Sequence, residues 1–346
     1  MSILSRLNAI GRKSLAIDLG TANTVVYGGS GVLLNEPSIV AIETTAGISK
    51  IIAVGHEAKR MLGRAPTGIT VVRPLRDGVV ADIEVAEEML KRFIEMALGD
   101  EPRFRSPNVI VCVPSGATSV ERRAIRDATI NAGAADVRMV SEPLAAAVGA
   151  GLLRDKPEGS MVVDIGGGTT EVGVLSMGGL VYSLSLRFGG DKLDEAITNY
   201  IRRNYNLVIG EITAEQIKIA YGAAIMPSDG VGARFAVRGL KVVGGLPSTI
   251  ELCEAELYDA MSEVVSAIAD GVRNALEGTP PELAADIFTN GIVLTGGGAM
   301  LHGLDAFVSD ITGLTVTKAI EPLLCVANGT HKMLGDPCFE AVLTQA

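Results

Sequence analysis

At 346 residues the chain exceeds one typical domain, and with 48% hydrophobic residues it can bury a large core. Tryptophan is absent and aromatics make up 4%, so aliphatic side chains and alanine must fill that core. A net charge of −10 argues against a general nucleic-acid binder, which presents a basic domain.

Cys112, Cys253, Cys325 and Cys338 form no C-x-x-C pair, and the histidines are His56, His302 and His331, so neither a zinc site nor a disulfide framework is signalled. No apolar run reaches the ~18 residues of a membrane span. The first apolar stretch is short and interrupted by Arg6, unlike a secretory signal. A cytoplasmic protein is expected.

Along the chain, Met1 to Lys13 comes first. Ile3, Leu4, Leu7 and Ile10 fall on one helical face, with Arg6, Arg12 and Lys13 on the other. Such a basic amphipathic helix suits the interface of an anionic membrane, although its apolar face could equally dock on the protein itself. Residues 15–19, 109–113, 161–165 and 292–295 then read as buried strands. Residues 84–97, 119–132, 191–204, 213–221 and 251–276 read as helices. This order predicts an α/β protein whose sheets are covered by helices.

The chain also repeats itself. Leu15-Ala16-Ile17-Asp18-Leu19-Gly20 aligns with Met161-Val162-Val163-Asp164-Ile165-Gly166. Each run is followed by a small-residue turn and a second strand, Val25 to Tyr27 and Val172 to Val174. Further on, Ser115-Gly116-Ala117 precedes Glu142-Pro143-Leu144, as Gly297-Gly298-Ala299 precedes Glu321-Pro322-Leu323. Four matches in one order predict a duplicated fold, with a ligand held in a cleft between the copies.

Short turns of Gly, Thr, Ala and Asn leave backbone N–H groups unobstructed for phosphate oxygens. Asp18 and Asp164 would then stand near those phosphates, which makes sense only with an intervening cation. Mg²⁺, held through its waters, is the natural choice. No G-x-x-x-x-G-K-[ST] occurs and no strict G-x-G-x-x-G follows a strand, so the P-loop and dinucleotide readings fail. Gly166-Gly167-Gly168 alone would be an ordinary hairpin turn; the second Asp hairpin and the Gly296-Gly297-Gly298 cluster argue otherwise.

Asp18-Leu19-Gly20-Thr21-Ala22-Asn23-Thr24 is similar to the first phosphate loop of the actin, sugar-kinase and heat-shock-chaperone superfamily. Asp164 to Thr170 resembles its second loop, and Leu294 to Ala299 its adenosine-binding turn. Within that superfamily Leu34 to Ser38, Ala53 to Lys59, Arg73 to Val79 and Val120 to Ile125 resemble segments of the MreB family of bacterial actins. The resemblance runs from about Leu15 to Lys332.

It implies an actin-like ATPase fold, duplicated and two-lobed, with four subdomains and ATP plus Mg²⁺ in the central cleft. The subdomains would be 14–32, 67–145 and 316–346 (IA), 33–66 (IB), 146–181 and 246–315 (IIA), and 182–245 (IIB). Gly20, Thr21, Ala22 and Asn23, then Gly166, Gly167 and Gly168, match the phosphate-binding positions. Gly296, Gly297, Gly298 and Ala299 match the adenosine turn, and Glu215 and Lys218 the nucleoside-facing helix, where Gln216 replaces the usual Arg. Asp18 and Asp164 would hold Mg²⁺ through water.

Glu142 matches the residue that orients the attacking water, and Thr169 its partner in the second loop. A simpler reading makes Glu142 a first-turn acid beside a helix-starting Pro143, and Glu321 at the duplicated position favours a partly structural role. The resemblance further implies homopolymeric filaments on the inner face of the cytoplasmic membrane. They would organise cell-wall synthesis, and so cell shape, together with membrane proteins of the elongation machinery. No nucleic-acid partner is expected. The loop from Leu98 to Phe104 is a second candidate membrane contact, weakened by Asp100 and Glu101. Ala327 to Lys332 departs from the family pattern, and His331 reads as a surface or capping residue. A small-molecule kinase of the same superfamily, or a nucleotide-binding scaffold without turnover, are the alternative functions.

Overall fold

The computed structural model describes residues 13–29, 31–99, 106–152 and 157–344. The amphipathic segment up to residue 12 therefore lies outside the described residues, as does most of the 98–104 loop. Two compact units are present, one formed by Met1–Leu153 with Leu324–Ala346, the other by Arg154–Leu323.

The first unit opens with β1 (Ser14–Leu19), β2 (Asn23–Gly28) and β3 (Gly31–Pro37), an antiparallel meander. A small sheet of β4 (Val40–Thr45), β5 (Ile48–Val54) and β6 (Ile69–Val72) follows, ordered β5-β4-β6. A two-stranded ribbon, β7 (Leu75–Arg76) and β8 (Val79–Val80), comes next. Finally β9 (Asn108–Val113) and β10 (Asp136–Ser141) add in parallel beside β1, completing the order β10-β9-β1-β2-β3.

Parallel neighbours need helical crossovers, and the sequence supplies them. The helix Ile83–Leu98 starts where the Asp82 side chain accepts a hydrogen bond from the Val85 amide at 3.1 Å. It buries Val85, Met89, Leu90 and Phe93 at helical spacing. The helix Ser119–Asn131 opens with a Thr118–Glu121 capping box.

The second unit repeats the plan. Strands β11 (Ser160–Ile165), β12 (Thr170–Ser176) and β13 (Gly179–Leu186) form the meander. A separate sheet contains β14 (Leu207–Val208), β15 (Arg234–Lys241) and β16 (Pro247–Cys253). Strands β17 (Ile292–Thr295) and β18 (Val316–Lys318) then join β11 in parallel order, giving β13-β12-β11-β17-β18. Position by position, the strand order and directions match those of the first unit. The duplication read from the sequence is a duplication of topology.

Each unit has its own aliphatic core. Leu15, Ile17, Met89, Val111 and Ile125 pack together in the first, with Phe93 fully buried among them. Met161, Val163, Ile197, Ile201, Met261, Ile268 and Leu294 fill the second. Central strand β11 is buried at every residue, as expected of a strand covered on both faces.

One expectation needs correction. The helix read over 251–276 begins at Glu254, because residues 251–253 pair with β15 and the Cys253 amide donates to Glu256 Oε2 at 3.0 Å. His331, read as a surface or capping residue, lies in the last turn of the helix Cys325–Lys332. It is partly buried, its ring centroid lies 5.4 Å from that of Tyr27, and its Nδ1 is buried without a hydrogen-bond partner. Among the described residues, no helix is long and apolar enough to cross a membrane.

Candidate nucleotide-binding site

In the first unit, Asp18 sits opposite Val25 in the β1–β2 hairpin, one residue before the register closes at Leu19 and Thr24. Gly20, Thr21 and Ala22 form the turn, and Asn23 starts β2. The Thr21 hydroxyl accepts a hydrogen bond from the Gly78 amide at 3.1 Å.

The second unit has the equivalent hairpin, with Asp164 opposite Glu171 and Ile165 opposite Thr170. The turn closes through the Gly166 amide, which donates to the Thr169 carbonyl at 2.8 Å. The loop rests on the start of the helix Gly190–Tyr205, whose Gly190 and Asp191 amides donate to the Gly166 and Gly167 carbonyls at 3.0 and 2.8 Å.

The turn after β17 joins this loop. Gly296 has φ +79°, and a Cβ there would lie 2.4 Å from the Ile165 carbonyl oxygen, so only glycine permits the approach. Gly297 to Met300 follow as a single 3-10 turn that buries Ala299. Thr295, which the sequence reading missed, donates its hydroxyl to Asp164 Oδ1 at 2.7 Å. Within the second unit, Asp164, Gly166 to Thr169 and Gly296 to Ala299 thus form one neighbourhood.

Burial pushes the Asp164 carboxyl up to about 6, against the lowering effect of the Thr295 hydroxyl and with a further push from Glu171. A buried carboxylate facing a second acid across the hairpin is a group that a cation would stabilise, so Asp164 fits the Mg²⁺ expectation. Among the described residues no three His, Cys, Asp or Glu side chains are grouped to hold a metal. An ion here would depend on phosphate oxygens and water, as Mg²⁺ commonly does.

Lys218 reaches this neighbourhood from the helix Glu211–Tyr221. Its ammonium donates to the Gly190 carbonyl at 2.8 Å and to Asp194 Oδ2 at 2.9 Å. Glu215, one turn earlier on the same helix, is half-buried, and Gln216 is exposed. Asp194 is buried, and its Oδ1 has no hydrogen-bond partner. Burial raises its pKa to about 6 and outweighs the attraction of Lys218.

A carboxyl with a raised folded-state pKa contributes stability that is fully present below about 3.8 and is lost as pH rises through about 6. Between those values wild type should lose stability relative to Asp194→Asn, which cannot titrate. The roughly two-unit rise caps the difference at about 3 kcal/mol. Thermal melts of both proteins from pH 4 to pH 7.5 measure it, and parallel curves would remove Asp194 as the titrating group.

Glu142 opens the helix Glu142–Gly149 directly after β10 and is only 9% exposed. Pro143 occupies the first turn, and Leu144 to Val148 are all buried. The helix is therefore held rigidly in the first unit. Glu321 in the duplicated Glu-Pro-Leu is exposed and precedes a 3-10 turn, Pro322–Leu324, so the two glutamates occupy different environments. Thr169 is buried at the end of its hairpin turn.

A sequence model of the MreB/Mbl protein family matches residues 12–338. The chain is 51% identical over 335 residues to the cell shape-determining protein MreB of Escherichia coli strain K12, covering 96% of each. MreB5 of Spiroplasma citri, solved bound to AMPPNP, superposes with a TM-score of 0.85 at 36% identity over 96% of each chain. The MamK double helical filament subunit shares the fold at TM-score 0.79 and 24% identity, over 94% of this chain and 99% of that one. With both hairpins, the glycine turn after β17 and the duplicated topology in place, the chain belongs to the MreB/Mbl family and has its actin-like α/β fold.

Proposed function

We propose that this chain is a Mg²⁺-dependent ATPase that polymerises into filaments on the inner face of the cytoplasmic membrane, where it organises cell-wall synthesis and sets cell shape. The observation that carries the reading is the repeated hairpin, an Asp before a small-residue turn in the same place of two topologically matched sheets. Support comes from MreB5 of Spiroplasma citri, described bound to AMPPNP and to ADP at 36% and 37% identity.

In this reading Gly20 to Asn23 and Gly166 to Gly168 hold the phosphates, while Gly296 to Ala299, with Glu215 and Lys218, hold the nucleoside. Bound Mg²⁺ would neutralise phosphate charge, held through water by Asp18 and Asp164. Glu142 orients the attacking water and accepts its proton, and the Thr169 hydroxyl helps to fix that water. Residues 1–13 anchor the polymer. Each copy binds weakly, and many copies on one filament bind strongly. Membrane proteins of the elongation machinery are the expected partners.

One set of proteins tests these points. Asp18→Ala and Asp164→Ala should each weaken Mg-ATP binding by about tenfold or more, consistent with a lost charge-assisted interaction. Deleting residues 1–13 should abolish co-sedimentation with anionic liposomes and preserve ATP-dependent pelleting of filaments. Wild-type affinity in both Asp variants would defeat the nucleotide reading, and liposome binding by the truncated chain would move the anchor elsewhere.

A further inference from the structure

Three sequence stretches that resemble the family, residues 34–38, 53–59 and 73–79, carry no phosphate-loop or catalytic residue. In the fold 34–38 and 73–79 reach the first hairpin turn, and 53–59 bonds to the chain on either side of Ser38. Ser38 follows β3 and is fully buried. Its amide donates to the Ala22 carbonyl at 2.9 Å, and its hydroxyl donates to the Gly20 carbonyl at 2.6 Å. A serine hydroxyl has one hydrogen. The 2.9 Å contact between Thr24 Oγ1 and Ser38 Oγ must therefore be donated by Thr24.

The flanking stretches hold this arrangement in place. Glu36 accepts the His56 amide at 2.6 Å, and the Gly55 amide donates to the Ile39 carbonyl at 2.9 Å. From the β7–β8 turn, the Gly78 amide reaches the Thr21 hydroxyl at 3.1 Å. Three consecutive turn residues, 20, 21 and 22, are each gripped from outside their own hairpin.

The peptide unit is planar and trans, so its C=O and the following N–H point in opposite directions. Fixing the Gly20 carbonyl on Ser38 fixes the direction of the Thr21 N–H. Fixing the Ala22 carbonyl does the same for the Asn23 N–H. Both amides are thereby turned away from Ser38. Preorganised amides hold an anion better than mobile ones, because their ordering cost is met on folding.

We infer that Ser38 is a positioning residue for nucleotide phosphates: it sets the peptide planes of the first loop and touches no ligand itself. The inference rests on reading Gly20 to Asn23 as a phosphate loop. Ser38→Ala keeps the amide donor and removes the hydroxyl. Its affinity for Mg-ATP and Mg-ADP should fall about tenfold, the loss of one well-placed buried hydrogen bond, and its affinity for adenosine should be unchanged.

The measurement is competition against a fluorescent ATP analogue, with thermal melts run in parallel. A merely structural serine would lower the melting temperature and weaken adenosine and ATP alike, and that result overturns the inference. So does wild-type affinity for all three ligands. If Ser38→Ala does not fold, Thr24→Val carries the test. It removes the donor that orients the Ser38 hydroxyl and should give the same phosphate-selective pattern at about threefold. Asp18→Ala separates the role of Ser38 from that of the loop it supports. Lost Mg-ATP binding there with intact binding in Ser38→Ala sinks only the role of Ser38, whereas intact binding in both sinks the phosphate-loop reading.

Discussion

Glu142→Ala is expected to lower ATP-dependent phosphate release by a hundredfold or more while Mg-ATP affinity stays within about threefold of wild type. A positioned acid–base group typically contributes 10²–10⁴ in rate, and in the proposed function Glu142 acts on water rather than on nucleotide. Its setting supports this. The side chain is 9% exposed at the start of a helix whose next six residues are buried, so its position is fixed. Glu142→Gln keeps the shape and should lose nearly as much. Glu321→Ala, at the exposed copy of the same tripeptide, is the control and should hydrolyse as wild type does. Filaments of Glu142→Ala should also persist longer, because hydrolysis is expected to loosen them. Unchanged turnover would reduce Glu142 to an acid that stabilises a helix start.

Gly329→Ala should be among the most damaging single-methyl changes in the chain. The helix Cys325–Lys332 crosses Glu142–Gly149 with backbone against backbone. A Cβ on Gly329 would lie 1.8 Å from the Ala145 carbonyl oxygen, and one on Gly149 would lie 1.9 Å from that of Cys325. The obstacles are main-chain atoms of buried helices, so no rotamer change relieves the clash, and the helices must separate. Such overpacking costs about 3 kcal/mol or more. Lys332 adds a constraint, with its ammonium 3.3 and 3.4 Å from the Val148 and Gly149 carbonyls. Separation also displaces Glu142, and a 1 Å misplacement of a catalytic group can cost about a hundredfold in rate. The expected result is a lower melting temperature together with a loss of phosphate release exceeding the loss of folded protein. Gly29→Ala, where a Cβ meets nothing within 4 Å, is the control. A wild-type melting temperature for Gly329→Ala would show that the two helices part at little cost.

By itself the sequence determined the α/β class and the repeat. Leu15 to Ile17 and Met161 to Val163 are apolar runs, each followed by Asp, one more aliphatic residue and Gly, and strands buried on both faces leave such runs wherever they occur. Family wording singled out both hairpins, the Gly296 to Ala299 turn and Glu142 as candidates. The small sheets were not legible in the same way. Strand β15 alternates exposed and buried residues as Arg234-Phe235-Ala236-Val237-Arg238, a weak local signal that depends on pairing with β16. Only tertiary structure decided what surrounds each candidate residue. It gave the two Glu-Pro-Leu copies opposite exposures, brought Thr295 onto Asp164 across two parallel strands, and joined Lys218 to Asp194 between two helices. It also set Ser38 beneath the loop at Gly20. Those contacts join residues distant in the chain, and hydrophobic periodicity carries information about which face is buried but none about which polar partner lies across it.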